Sequence, residues 1–114
     1  GHLFGCASLH GADETLHLAE LSWLYHNHLA PPSLRASALL PHRVEMNRLD
    51  AAAIDGRAAS RALPPLLKGY LRVGAMVGDG GFVDRQFNTV DVFVVMPVDR
   101  ITSRYAERFG AAND

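Results

Sequence analysis

The stretch LLKGYLRVGAMVGDGGFVDRQFNTVDVFVVMPV, residues 66–98, constrains the fold more than any other part of the chain. It begins as a helical run that Leu63-Pro64-Pro65 can start, since proline in a first helical turn loses no intrahelical donor. Gly74 stops that run. Gly78, Gly80 and Gly81 then mark a tight connection, and FVDRQF and VDVFVVMPV read as two strands joined around Asn88-Thr89, because β-branched and aromatic residues suit a pleated surface. Pro97, which has no ladder donor, ends the last strand.

Upstream, residues 3–8 form a short apolar run, LFGCAS, that reads as a buried strand with Cys6 as a small core residue. HGAD supplies a turn, and the Asp13 carboxylate suits the free N–H groups of a helix that starts there. Leu18, Leu21, Leu24, Tyr25 and Leu29 recur at three and four, which places them on one helical face, a core stripe rather than a lipid groove. Pro31-Pro32 stops this helix. In HRVEMNRL, Val44 and Met46 alternate with Glu45 and Asn47, the period of a half-exposed strand. Residues 51–62 favour a turn or two of irregular helix, broken by Gly56.

The order is therefore β-α-β-α-β-β, an α+β class with a mixed sheet of about four strands and helices packed on it. Residues 3–109 read as part of one domain, with a short helix before Gly110 and a loose tail over 110–114; Gly1-His2 reads as a tag remnant and is given no role. A strand at the very start leaves an edge without a partner, so the sheet is expected to continue in sequence absent here.

With 11 Lys+Arg against 12 Asp+Glu the net charge is −1, which gives no electrostatic footprint for nucleic acid. A single cysteine forms no internal disulfide, and no run reaches the ~18 apolar residues of a membrane span, so a cytoplasmic setting is expected, with at most peripheral contact at the inner face of the membrane. His26 and His28, two apart, point to different sides of a helix, and His42 has no partner nearby in sequence; no metal is predicted.

The run Tyr70-Leu71-Arg72-Val73-Gly74-Ala75, followed by two strands, resembles the tyrosine-to-glycine helix end of the GNAT acyltransferase fold. The motifs LFGCASLHG, LSWLYHNHLAPPSLR, VEMNRLD, LPPLLKGYLRVGAMVGDG and VDRQFNTVDVFVV, in this order, resemble more specifically the ornithine-acyl-[acyl-carrier-protein] N-acyltransferases, hemolysin-like proteins related to acyl-homoserine-lactone synthases. The resemblance runs over residues 3–105 and covers the C-terminal half of that family.

The resemblance implies transfer of a 3-hydroxyacyl group from the phosphopantetheine thioester of acyl carrier protein to the α-amino group of ornithine, a step of ornithine lipid biosynthesis, with no permanently bound cofactor. It implies that Tyr70 gives a proton or hydrogen bond to the departing thiolate; a phenol with a pKa near ~10 stays protonated at neutral pH. Glu45, on a strand that resembles the fifth of GNAT folds, beside the splayed gap between strands where the resemblance implies that the pantetheine arm lies, is a candidate base or ammonium anchor, or an ordinary solvent-facing carboxylate. Asp84 and Asp91, with Ser8, are candidates to hold the acceptor's amines. Turn chemistry is the alternative for Asp84 and Asn88. CASLHGAD stands where GNAT folds hold the CoA pyrophosphate, and its single glycine, lack of arginine and one aspartate suit a carrier-protein donor better. Lys68, Arg72 and Arg85 are candidates for a basic rim that meets an acidic carrier, or solvated charges. The alternative functions are an acyl-homoserine-lactone-type synthase and a non-catalytic module that completes its sheet with the missing half or a second copy.

Overall fold

The computed structural model describes residues 1–36 and 42–98. Its strands are β1 (His2–His10), β2 (Arg43–Val44), β3 (Met76–Asp84) and β4 (Thr89–Pro97), and its helices α1 (Leu18–His28), α2 (Gly56–Ala62) and α3 (Pro65–Arg72). The sheet order is β1-β4-β3-β2. All three strand pairings are antiparallel, so the expected mixed sheet is corrected to an antiparallel one. The reason lies in the connections: β3 and β4 form a hairpin, and β1 meets the last strand rather than one reached by a crossover. The α+β class and the helix cover stand as expected.

One face of the sheet is dry. Ala7 and Leu9 of β1 and Val90, Val92 and Val94 of β4 pack with Leu21 and Leu24 of α1 and Leu67 of α3 in a single core. Full burial of a leucine stabilises by about 1.5–3 kcal/mol, so α1 is held mainly by Leu21 and Leu24. Leu18 is half-buried, and the same face carries Ser22, which is fully buried. Ser22 Oγ donates to the Met46 carbonyl (3.1 Å) and accepts from Leu49 N–H (3.1 Å), and so ties the loop after β2 to the helix.

The helix boundaries follow local chemistry. Asp13 caps a 3-10 turn, Glu14–His17, by accepting from Thr15 N–H, and α1 begins directly after it. Gly56, expected to break a helix, instead starts α2: Asp55 accepts from Arg57 and Ala58 N–H, and Gly56 lies against the Trp23 indole, where a Cβ would stand 3.3 Å from Nε1. The end of α3 at Gly74, with φ 98°, is as expected.

Two further expectations are corrected. The glycines at 78, 80 and 81 lie inside β3, where the register against β4 shifts between Val77 and Gly81. A Cβ at Gly78 would stand 2.6 Å from the Ala36 carbonyl, which Asp79 N–H bonds at 2.7 Å, and Gly80, with φ 84°, lies under the Arg43 guanidinium. They form a bulge that admits a loop and an arginine, rather than a connection before the strand. The second correction concerns β1, which was read as buried. Only Ala7 and Leu9 are buried, while Leu3 and Phe4 are 58% and 67% exposed and Cys6 is exposed, because nothing among the described residues pairs with the outer edge of β1. The helix and loose tail expected after residue 98 lie outside the described residues.

Ser22→Ala removes one hydroxyl and leaves a buried carbonyl and N–H without it. A loss of about 1–3 kcal/mol in unfolding free energy is expected, measured by urea denaturation of the full-length protein.

Candidate functional site

Tyr70 sits near the C-terminal end of α3, and its carbonyl accepts from Val73 and Ala75 N–H, which turns the chain sharply into β3. That turn fixes the ring beside the start of the sheet. Tyr70 lines a groove of about 240 Å3 with Leu3, Phe4, Gly5, Cys6, Val94 and Met96. Successive residues of a strand point to opposite faces, yet four consecutive residues of β1 line this space. Val94 and Met96 stand opposite Gly5 and Leu3 on the core side, so the groove lies over the β1–β4 pair on the helix-covered face of the sheet, with Phe4 and Cys6 bordering it. Its walls are apolar apart from the phenol and the thiol, which suits a flexible chain ending in a thioester or a fatty tail.

The register of β1 against β4 places Ser8 directly opposite Asp91. Asp91 is 8% exposed, and its Oδ1 accepts from Ser8 Oγ at 2.7 Å and from Thr89 Oγ1 at 2.8 Å. Among the described residues nothing donates to Oδ2. Two hydroxyl donors on one oxygen orient the carboxylate and leave the other as a hydrogen-bond acceptor. Ser8, Thr89 and Asp91 alternate with the core residues Ala7, Leu9, Val90 and Val92, so this carboxylate lies on the face of the sheet opposite to Tyr70. Cys6 borders the groove, and its thiol is held above the ordinary range by partial burial and secondarily by the Asp91 charge.

The remaining sequence candidates are distributed elsewhere. Asp84 accepts from Phe87 N–H at 3.1 Å within the β3–β4 turn. Asn88, with φ 54°, accepts from Gly11 N–H through its carbonyl and from Ala12 N–H through its side chain, so it fastens the hairpin tip to the end of β1. Glu45 lies just beyond β2, at the sheet edge opposite β1, and pairs with Arg43 at 3.4 Å, while Arg43 also holds Asp79 at 3.0 Å. The two strands expected to flank one cleft are thus at opposite edges, with β4 and β3 between them, and no cavity among the described residues brings Glu45 to Tyr70.

The basic candidates also separate. Arg85 lies at the hairpin end, in a cavity of about 500 Å3 shared with Asp13, Glu14, His42 and Arg43. Lys68 and Arg72 line a different cavity, of about 190 Å3, with Trp23, His28 and Ser60. Each is two residues from Tyr70, and at 3.6 residues per turn that is well over a quarter-turn away, on the other side of α3. They are not a rim of the tyrosine groove.

Thr89 is the Asp91 partner that sequence reasoning missed. Its hydroxyl becomes relevant only through the strand register that brings Ser8 to Asp91, and no local pattern announces that pairing. Among the described residues no group of three or more His, Cys, Asp or Glu is placed to hold a metal ion, and no helix is long and apolar enough to cross a membrane.

An α+β chain whose helix end presents a tyrosine to a groove on an antiparallel sheet is consistent with part of a GNAT-like fold. In sequence it is similar to L-ornithine N(alpha)-acyltransferases: 47% identical over 96% of the chain to that of Brucella abortus, 45% over 95% to that of Agrobacterium fabrum, and 45% over 92% to that of Rhodobacter capsulatus. The chain spans 39%, 37% and 40% of the length of these relatives, and corresponds to their C-terminal part. No family model matches the chain, and no solved structure matches it.

His28 lies against Trp23 with the rings tilted by 55° and their centroids 4.9 Å apart, and burial lowers its pKa below the ordinary histidine value. A base with a depressed folded pKa binds its proton more readily when unfolded. Stability is therefore expected to fall as pH drops below about 6.5, through the unfolded value toward the folded one. His28→Gln should flatten that acid limb, read by thermal denaturation across pH 5 to 7.

Proposed function

We propose that the full-length protein transfers a 3-hydroxyacyl group from acyl carrier protein to the α-amino group of ornithine, and that this chain supplies the thiol-leaving side of the site. The observation that supports it most is Tyr70 on an apolar groove over the β1–β4 pair, in a chain 42–47% identical to L-ornithine N(alpha)-acyltransferases. The relatives' name favours ornithine over the S-adenosylmethionine that an acyl-homoserine-lactone-type synthase would use.

In this reading the acyl-bearing pantetheine arm lies in the groove with its thioester near the phenol. The neutral amine attacks the thioester carbon, the C–N bond forms and the C–S bond breaks; Tyr70 gives its proton to the departing sulfur, and the phenolate recovers one from the proton that the new amide nitrogen releases. Before attack the ammonium must lose a proton. That proton passes to solvent or to a group outside this stretch, because Asp91 and Ser8 lie on the face of the sheet opposite to Tyr70 and are given no step at the thioester. Glu45, engaged by Arg43 at the far edge, is given no step. Direct transfer needs no acyl-enzyme, so Cys6 is a wall of the groove and not a nucleophile. The chain covers 37–40% of its relatives' length, and the stretch alone is expected to be inactive and to be rescued by the remaining sequence supplied in trans.

Full-length protein incubated with 3-hydroxyacyl carrier protein and ornithine should release free carrier thiol and N-acylated ornithine in equal amounts. Absence of product with every amino acid tested would overturn the reading, and turnover with S-adenosylmethionine would move it to the synthase. Tyr70→Phe should lower kcat about 10²–10⁴-fold with little change in KM for the carrier. Asp91→Asn, on the face of the sheet opposite to the tyrosine groove, and Asp84→Asn, a turn residue, should both leave kcat and the KM for ornithine near the parent values.

A further inference from the structure

The sequence from Gly56 to Gly78 contains Arg57, Arg61, Lys68 and Arg72 and not one Asp or Glu, in a chain whose net charge is −1. These residues make α2 and α3. Neutral surfaces mix the two signs, and cations four apart on one helix repel; here the pattern occurs twice, at 57/61 and at 68/72. None of the four side chains has an ion pair among the described residues, although Arg43 and Arg48 do. Ser60 of α2 and Lys68, Leu71 and Arg72 of α3 line one cavity, and Arg57 and Arg61 are exposed on the side of α2 away from the buried Ala59.

The outward side of α3 is equally distinctive. Leu67 is buried, whereas Leu66 is 63% exposed and Pro65 is exposed beside it; at Gly69 a Cβ would meet open space. The helical angles put Lys68 and Arg72 on one flank of this outward side and Leu66 on the other, with Tyr70 beyond Leu66. Cations on a flank that faces away from the tyrosine groove have no evident role at the thioester, and their field needs an anionic counterpart of some extent.

We propose that the α2–α3 surface seats the protein on an anionic lipid bilayer, with Arg57, Arg61, Lys68 and Arg72 against the headgroups and Leu66 at their apolar margin. Charge complementarity argues for this partner, because each cation near an anionic leaflet contributes independently and a continuous surface meets two helices at once. The proposal also rests on the acyltransferase reading for its purpose: the product bears a fatty chain and has to pass from the protein into a bilayer.

Cosedimentation of the full-length protein with vesicles tests it. Binding to phosphatidylcholine vesicles containing phosphatidylglycerol should exceed binding to phosphatidylcholine alone and fall with added salt. The double variants Arg57→Gln/Arg61→Gln and Lys68→Gln/Arg72→Gln should each lower the partition coefficient, about fivefold per charge, and Leu66→Ser should lower it without changing its salt dependence. Equal binding to both vesicle types, or variants that bind like the parent, overturns the proposal. If the variants instead raise only the KM for the carrier, the surface belongs to an acidic protein and the bilayer assignment fails. Acyl transfer by the parent protein from soluble carrier, without vesicles, is scored separately. Failure there removes the enzymatic reading and leaves charge-dependent vesicle binding standing or falling by itself.

Discussion

Everything that can act in this chain depends on one pairing, β1 with β4, which joins residues about eighty apart along the sequence. It sets Ser8 against Asp91 and Leu9 against Val90, and so fixes which residues enter the core and which carboxylate receives two hydroxyls. The strands meet at both ends of the sheet: Asn88 grips Gly11 and Ala12 at one end, and Val98 N–H reaches the Gly1 carbonyl at the other. A slip of one residue would turn Asp91 into the core and expose the valines, so the register is strongly specified by burial alone.

The opposite edges of the sheet then acquire different characters. At β2 the sheet is short and closed by charge, with Arg43 spanning Glu45 and Asp79 over a bulge made of glycine. At β1 it is apolar and, among the described residues, without a further strand. An exposed, long apolar edge strand is a place where backbone groups await a partner, and it is here that a chain-like ligand or a further strand has both hydrogen-bonding groups and apolar walls to meet. The helix that supplies Tyr70 divides its groove from the basic surface, so a phenol and a cation pair two residues apart serve different surroundings.

Much of this was legible in the residues. The helix from Asp13, the short strand with Val44 and Met46 inward, Pro65 at the start of α3, Gly74 at its end and the hairpin through Asn88 all follow from periodicity and capping, which are local. The misreadings share a cause. Gly78, Gly80 and Gly81 look like a connector until the Ala36 carbonyl and the Arg43 guanidinium are seen to occupy the space their side chains would fill. LFGCAS reads as buried because its composition belongs in a core, and composition does not say whether the neighbouring strand is present. Glu45 was placed beside the cleft by likeness of order, and order along the chain does not decide adjacency in a sheet.

By itself the sequence determined the class of fold, the ends of the helices, the tyrosine at a helix terminus and the acid-free stretch that makes α2 and α3 basic, since each is set by neighbours within a few residues. Only the tertiary structure decided that Ser8 and Thr89 share Asp91, that Glu45 stands an entire sheet away from Tyr70, and that Lys68 and Arg72 turn from the groove rather than toward it. Strand register and the angular position of a side chain on a packed helix are properties of contacts between distant segments, and no local propensity encodes them.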